Sequence, residues 1–255
     1  MKSKQSLIFG IHPVHEALQT GRPVDKVLLK QGFRSETVPG LFALLREQGI
    51  PFQYVPAEKL NRLTGGNHQG IIAMISELEY IELARLIPFL FDQGKLPVVV
   101  LLDSITDVRN LGALARSAEC AGIDAIIVPA KGSAQINADA IKTSAGALNK
   151  IPVCRVNTLA DALKYLRESG FQVIAATEKA EDVIYQADFT KPSAIIVGAE
   201  DTGIDPKLLK MADILVKIPI VGSIQSLNVS TAASVIFFEV VRQRYYLKST
   251  TNPHT

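Results

Sequence analysis

Three polar clusters carry the residue types that chemistry needs. The first, DSITDVRNLGALAR, runs from Asp103 to Arg116 and places Gly112 and Arg116 four apart on one face of an expected helix. With no side chain at Gly112, that face would lie open beside a guanidinium. An arginine there suits a phosphate or another planar anion, and a bridge to Glu119 on a solvated face would explain it equally. The second cluster, VGAEDTGI (Val197–Ile204), has Gly198 at a strand end, where a ligand could approach the backbone closely. Its Glu200 could bond a hydroxyl, orient Arg116, or serve as the N-terminal charge of a helix beginning at Pro206. The third is Ile218–Arg244: a strand end, a loop of small polar residues, then a run from Val229 to Val241 that is apolar almost all the way round. Apolar on every side predicts burial on every side. Ser226 and Asn228 stand at its first turn, where unpaired N–H groups converge. Either could be a helix cap and nothing more, but the loop before them is longer than a plain strand–helix turn requires.

Several other chemistries are excluded by pattern. No G-x-G-x-x-G follows the first strand of either half, and there is no Walker A motif or G-x-S-x-G elbow. The second half has no histidine outside the tail residue His254, so it must work with Arg, Glu, Ser, Asn and backbone groups. Two cysteines, Cys120 and Cys154, and four scattered histidines offer no metal-ligand spacing, so no metal is expected. Both cysteines lie in apolar stretches and read as reduced core residues of a cytoplasmic protein. No apolar run approaches a membrane span, and MKSKQSLIFG lacks the apolar core and cleavage site of a signal peptide. The net charge of +2 is uneven: residues 1–78 carry nine Lys/Arg against six Asp/Glu, whereas the rest carries eighteen against nineteen. A mildly basic first part is compatible with nucleic acid, and a solvated surface explains the same count.

Alternating patterns predict the elements that must position these clusters. In the first part, strands are expected near Leu7, at 26–30, 52–55 and 71–75. Helices are expected from Pro13 to Leu18, over 36–48 and over 57–63. The loop Thr64–Gly70, with Gly65, Gly66, Asn67 and His68, could touch a phosphate or be a surface turn. Residues 79–96 read as a linker, a short amphipathic helix plus a DQGK turn. From Pro97 on, apolar strands at 98–103, 125–128, 153–156, 173–177, 194–198 and 215–218 alternate with helices at 110–121, 138–148, 159–168, 206–211 and 229–241. Continuous β-branched strands between helices predict a parallel sheet covered on both faces, with ligands beyond the strands' carboxyl ends. The organisation expected is a domain at 1–78, the linker, a second domain at 97–248 and a disordered tail at 249–255.

The three clusters, in this order, resemble the sequence motifs of the SpoU/TrmH branch of the SPOUT RNA methyltransferases. The matching pieces are DSITDVRNLGALARSAECAG (Asp103–Gly122), IIVGAEDTGI (Ile195–Ile204) and IPIVGSIQSLNVSTAASVIFFE (Ile218–Glu239), with Lys142–Leu148 similar to an intermediate segment. Ile8–Val14 and His68–Ile71 are similar to the family's substrate-binding domain, a ribosomal-protein-like (L30e-like) α/β fold. The resemblance implies a C-terminal α/β domain threaded into a deep trefoil knot, a topology that is otherwise rare. It implies a homodimer, S-adenosylmethionine (SAM) as methyl donor, and a ribose 2′-hydroxyl as acceptor, most like a guanosine of 23S ribosomal RNA. A transfer-RNA target and a catalytically inactive RNA-binding homologue are the alternatives. By position, SAM would be held by Thr177, Glu178, Gly198, Ile218, Ile220, Ser226, Leu227 and Val229. The catalytic set would be Arg116, Asn110, Glu200, Ser226 and Asn228, with Arg116 clamping the phosphate beside the target, Glu200 holding Arg116 in place, and Asn110, Ser226 and Asn228 bonding the ribose and Arg116.

Overall fold

The computed structural model describes residues 6–34, 38–224 and 226–246. The expected tail, Gln225 and the start of the helix expected at 36–48 lie outside the described residues. The backbone forms two units, one within residues 1–79 and 135–139 and the other within 80–134 and 140–255.

In the first unit, strands β1 (Leu7–Phe9), β2 (Val24–Lys30), β3 (Phe52–Val55) and β4 (Ile71–Ile75) form a mixed sheet in the order β1-β4-β2-β3, with only β2 and β3 parallel. Helices α1 (Ile11–Gln19) and α2 (Leu41–Glu47) cover one face, where Val14, Leu18, Leu41 and Leu45 pack on Val27, Leu29, Ile71 and Ala73. Helix α3 (Ala57–Leu63) covers the other through Leu60 on Leu28, Val55 and Ile72. The 64–70 loop closes on the start of α1, whose Ile11 N–H donates to Gln69 Oε1 at 2.9 Å. His68 is pinned between Asn61 and the Gly70 N–H, at 2.8 and 3.0 Å. Gln69 and His68 therefore spend their polar groups on the loop and on the helices that flank it.

The stretch 79–96 is not a linker. It contains α4 (Leu83–Asp92), and Leu83, Leu86, Ile87 and Leu90 are part of the second unit's core. Those four positions follow the i, i+3, i+4, i+7 rule of a buried helix face. Pro88, inside the helix, obscures the pattern in the sequence.

The second unit is a six-stranded, wholly parallel sheet of β5 (Val98–Asp103), β6 (Ala125–Pro129), β7 (Val153–Val156), β8 (Gln172–Ala176), β9 (Ser193–Gly198) and β10 (Ile214–Val216), ordered β10-β8-β9-β5-β6-β7. Every residue of β5 is buried, as expected of a strand covered on both faces. From β5 the chain builds outward through β6 to β7, then returns to the other side with β8, β9 and β10. The order thus reverses beside β5. Helices α5 (Val108–Cys120), α7 (Leu159–Glu168), α8 (Pro206–Leu209) and α9 (Val229–Val241) complete the unit, with α6 (Ala138–Thr143) contributing its residues from Ala140 on. The helix expected over 138–148 stops at Thr143 because Ala145 and Gly146 take positive φ. Cys154 is buried, and burial pushes its thiol up to about 12. Cys120 is exposed at the end of α5, contrary to the core reading.

Gly112 does not leave an open helix face. It is buried, and a Cβ there would stand 2.7 Å from Thr143 Cβ and 2.9 Å from the Ala140 carbonyl oxygen. The missing side chain lets α6 lie against α5. Gly112→Ala should therefore destabilise the fold by about 2 kcal/mol, despite the better helix propensity of alanine. Thermal unfolding would register that as a drop of roughly 4–8 °C, and an unchanged midpoint would show that α6 yields freely.

Helix α9 is not buried on every side. Val229, Ala233, Ile236, Phe237 and Val240 face the core, but Thr231, Val235 and Phe238 form an outer stripe on which Phe238 is 51% exposed, and Tyr245, beyond the end of the helix, is 70% exposed. The helix end is fastened by polar groups. The buried Glu239 carboxylate accepts from Arg242 (2.7 and 2.8 Å) and from Gln243 Nε2 (2.7 Å). Gln243 also bonds Ala187 O and the Phe189 N–H, and Arg244 donates to the carbonyls of Leu96, Phe189 and Lys191. Burial works to raise the Glu239 carboxyl, but the bonds from Arg242 and Gln243 and the Arg242 charge together hold it below its ordinary 4.5. A lowered carboxyl contributes stability above its unfolded-state value and loses it as pH falls through the folded one. Urea midpoints should therefore fall below about pH 4.5. In Glu239→Gln that segment of the pH profile should flatten, and an identical slope in both proteins would show that Glu239 does not contribute.

Candidate active site

The carboxyl ends of β8, β9 and β10 open into a cleft bounded by Ile218 and Ile220, by Ser226 and Leu227, and by the start of α9. Thr177 and Glu178 follow β8, Gly198 ends β9, and Ile218 and Ile220 follow β10; all five line the cleft. Ser226, Leu227 and Val229 close it from the entry to α9, with Val197, Val216, Ala232 and Ile236 as apolar floor. All eight residues nominated above for a cofactor thus face one space.

The glycine at the end of β9 serves the protein's own turn. A Cβ on Gly198 would fall 2.3 Å from Gly203 C and O and 2.5 Å from Ile204 N. The 199–203 turn, closed by the Gly203 N–H to Ala199 O bond at 2.9 Å, folds back onto the strand end and presents Glu200. The close approach expected of a ligand is made here by backbone.

Glu200 sits at the amino end of α9. Its Oε1 accepts from the Val229 N–H (3.0 Å), from Asn110 Nδ2 (3.3 Å) and from Asn228 Nδ2. Asn228 Nδ2 also donates to Asn110 Oδ1 at 3.0 Å, which closes a ring of two amides and a carboxylate. Asn228 caps α9 as well, its Oδ1 accepting from the Ser230 N–H at 3.0 Å and the Ser230 hydroxyl at 2.6 Å. A carboxylate and an Asn cap at a helix N-terminus satisfy otherwise unpaired donors and complement the helix dipole. The cap reading of Asn228 is therefore correct, and the Asn also ties the second and third clusters together. The N-terminal charge of α8 is Asp205, which accepts from the Lys207 N–H at 2.8 Å. Asp205 in turn donates its N–H to Asp103 Oδ2 at 2.7 Å.

Asn110 owes its place to a residue that the sequence reading passed over. Asp107 caps α5, its Oδ1 accepting from the Arg109 and Asn110 N–H groups at 2.6 and 3.0 Å. An Asp immediately before an apolar periodic run is a start signal that could have moved the helix start from Asn110 to Val108. Farther along α5, the Ser117 hydroxyl accepts from Ser234 of α9 at 2.7 Å. The Asn110–Ser117 side of α5 therefore faces α9.

Arg116 is not part of the ring. It is exposed and makes no ion pair or hydrogen bond among the described residues, and Glu200 does not orient it. Six residues beyond Asn110, it lies about 9 Å farther along the helix and about 120° round it. Nor does it bridge Glu119, which pairs with Lys150 at 3.6 Å. Ser226 lines the cleft, exposed, with its hydroxyl turned to no protein partner among the described residues. No helix among the described residues is long and apolar enough to cross a membrane.

Comparison with known proteins places this geometry. Residues 97–238 match the SpoU rRNA methylase family, and residues 7–81 match the RNA 2′-O ribose methyltransferase substrate-binding family. A Staphylococcus haemolyticus (strain JCSC1435) protein named for the TrmH family of tRNA/rRNA methyltransferases is 34% identical over 94% of this chain and 96% of its own. The AdoMet-bound rRNA methyltransferase of Sinorhizobium meliloti superposes with a TM-score of 0.60 at 25% identity, covering 94% of this chain and 88% of that one. The A. aeolicus TrmH/SpoU tRNA modifying enzyme superposes with a TM-score of 0.55 at 29% identity, over 62% of this chain and 81% of that one. A parallel α/β unit with this cleft, in one chain with a unit of the substrate-binding type, defines the class of SAM-dependent RNA methyltransferases. The chain belongs to the SpoU/TrmH family of RNA 2′-O ribose methyltransferases.

Proposed function

We propose that this protein methylates the ribose 2′-hydroxyl of a guanosine in 23S ribosomal RNA, acting in the cytoplasm as a homodimer. The observation that carries the reading is that Glu200 belongs both to the cleft wall and to the Asn110–Glu200–Asn228 ring, so a donor in the cleft and an acceptor at the ring would meet. The assignment of Thr177, Glu178, Gly198, Ile218, Ile220, Ser226, Leu227 and Val229 to SAM fits the cleft. Ile218, Ile220, Leu227 and Val229 offer apolar walls to a purine, and Thr177 and Glu178 offer polar groups to a ribose or an amino acid. Bound SAM supplies a methyl group activated for transfer.

The chain's own residues have separable tasks. Glu200 Oε1 is taken up by three N–H donors, whereas Oε2 accepts no hydrogen bond among the described residues. Glu200 Oε2 is thus the acceptor open to an incoming hydroxyl, held in place by Asn110 and Asn228. The free Ser226 hydroxyl bonds the ribose. Arg116, which stays protonated in water, holds a phosphate beside the target nucleotide. Most of the rate gain then comes from positioning and fixed dipoles. The outer side of α9, where Val235 and the half-exposed Phe238 stand, supports the homodimer, because exposed apolar side chains on a helix favour a partner surface. The deep trefoil knot implied by the family belongs to the same reading.

The ribosomal target is favoured over transfer RNA by coverage: the rRNA enzyme matches 94% of this chain and the tRNA enzyme 62%. Mass-spectrometric mapping of RNA from a strain lacking this gene tests the choice. Loss of one 2′-O-methylguanosine from 23S RNA is expected, and loss from transfer RNA alone would overturn it.

A further inference from the structure

The outer ridge of α5 carries a second cation that the reading above does not use. Seven residues apart, Arg109 and Arg116 lie on one stripe of the helix, about 10 Å from each other along its axis. Both are exposed. The stripe is flanked on one side by Asn110 and Ser117, which face Glu200 and α9, and on the other by Gly112, against which α6 packs. It is therefore an open ridge between two neighbouring helices, and its first turn begins beside the amide–carboxylate ring.

Among the described residues no carboxylate pairs with either guanidinium. The nearest acid in sequence, Asp107, turns its Oδ1 to the backbone N–H groups of Arg109 and Asn110, at 2.6 and 3.0 Å. Glu119 pairs with Lys150. Neither guanidinium has an ion-pair or hydrogen-bond partner among the described residues. Two unpaired planar cations spaced along a ridge suit two phosphates of one strand, since a guanidinium presents a fixed fork to phosphate oxygens. Arg109 is one residue from Asn110, whereas Arg116 is six away, so Arg109 stands closer to the ring.

We propose that Arg109 is a substrate-positioning residue: its guanidinium binds a phosphodiester of the RNA strand whose target ribose lies at the Asn110–Glu200–Asn228 ring, and Arg116 holds a second phosphate along the same ridge. This rests on the reading of the ring as the acceptor site. Arg109 acts on binding of the strand and takes no part in the transfer itself.

The test uses the full-length protein, labelled SAM and 23S RNA purified from a strain lacking this gene. Arg109→Ala should raise KM for RNA roughly tenfold while leaving kcat and SAM affinity within about twofold. The slope of log affinity against log salt should become shallower by about 0.7 to 0.9, and Arg109→Lys should recover most of the loss. An unchanged KM and salt slope in Arg109→Ala, with wild-type protein active, would overturn the assignment and leave the acceptor site standing. A fall in kcat at unchanged KM would also overturn it. No methyl transfer by the wild-type protein to any RNA would overturn both.

Discussion

Glu200→Ala is expected to lower the single-turnover rate of methyl transfer by about two to three orders of magnitude at saturating SAM, the range seen when a fixed polar group is removed from a reacting centre. The reason is geometric. Glu200 Oε1 is where Val229, Asn110 and Asn228 converge, and without it the two amides lose their common acceptor. The Val229 N–H at the start of α9 also loses its partner, so SAM affinity should weaken several-fold as the Ser226–Val229 wall loosens. Glu200→Gln keeps an acceptor but brings an NH2 donor to a place where three N–H donors already converge, so it should fall between the two proteins. A Glu200→Ala protein that turns over at the wild-type rate would remove Glu200 from the reacting centre.

The second large effect is on folding. Gly198→Ala should cost about 3 kcal/mol or more, because the atoms a Cβ would meet are the backbone of Gly203 and Ile204 and no side-chain rotation can relieve the contact. Gly203 is the control. Its φ of +67° strains any L residue, but nothing lies within 4 Å of a Cβ there. Gly203→Ala should therefore cost only about 1 kcal/mol, the left-handed penalty alone. Chemical denaturation of both variants measures the contrast. Equal losses would mean that the 199–203 turn shifts away from β9 without penalty, and Glu200 would then have no fixed position.

The elements of the second unit were legible because its strands are unbroken apolar runs and its helices have clear stops. β5, β7, α7 and α9 fall at the residues expected. The cleft was legible through the motif resemblance, which put eight residues from four separate segments into one space. What the sequence hid follows from the geometry of contacts between segments. Gly112 and Gly198 read as openings for a ligand, yet each is filled by the protein's own chain, Thr143 and Ala140 at one and Gly203 at the other. A glycine signals close approach, but not by what. Arg116 and Glu200 were expected to act together because both are charged and belong to matching motifs; the turn of α5 sets Arg116 on the exposed ridge, and Glu200 finds Asn110 in its place. Pro88 concealed a core helix, and the apolar run of α9, read as buried on every side, leaves Phe238 half exposed.

The central claim is that the chain places a methyl group on a ribose oxygen of guanosine. Its most direct test is nucleoside analysis after reaction of the purified protein with isotopically labelled SAM and 23S RNA from a strain lacking this gene. The label is expected in 2′-O-methylguanosine, and Glu200→Ala should reduce it in parallel with the single-turnover rate. Label recovered on a base, or on the ribose of another nucleoside alone, would contradict the account.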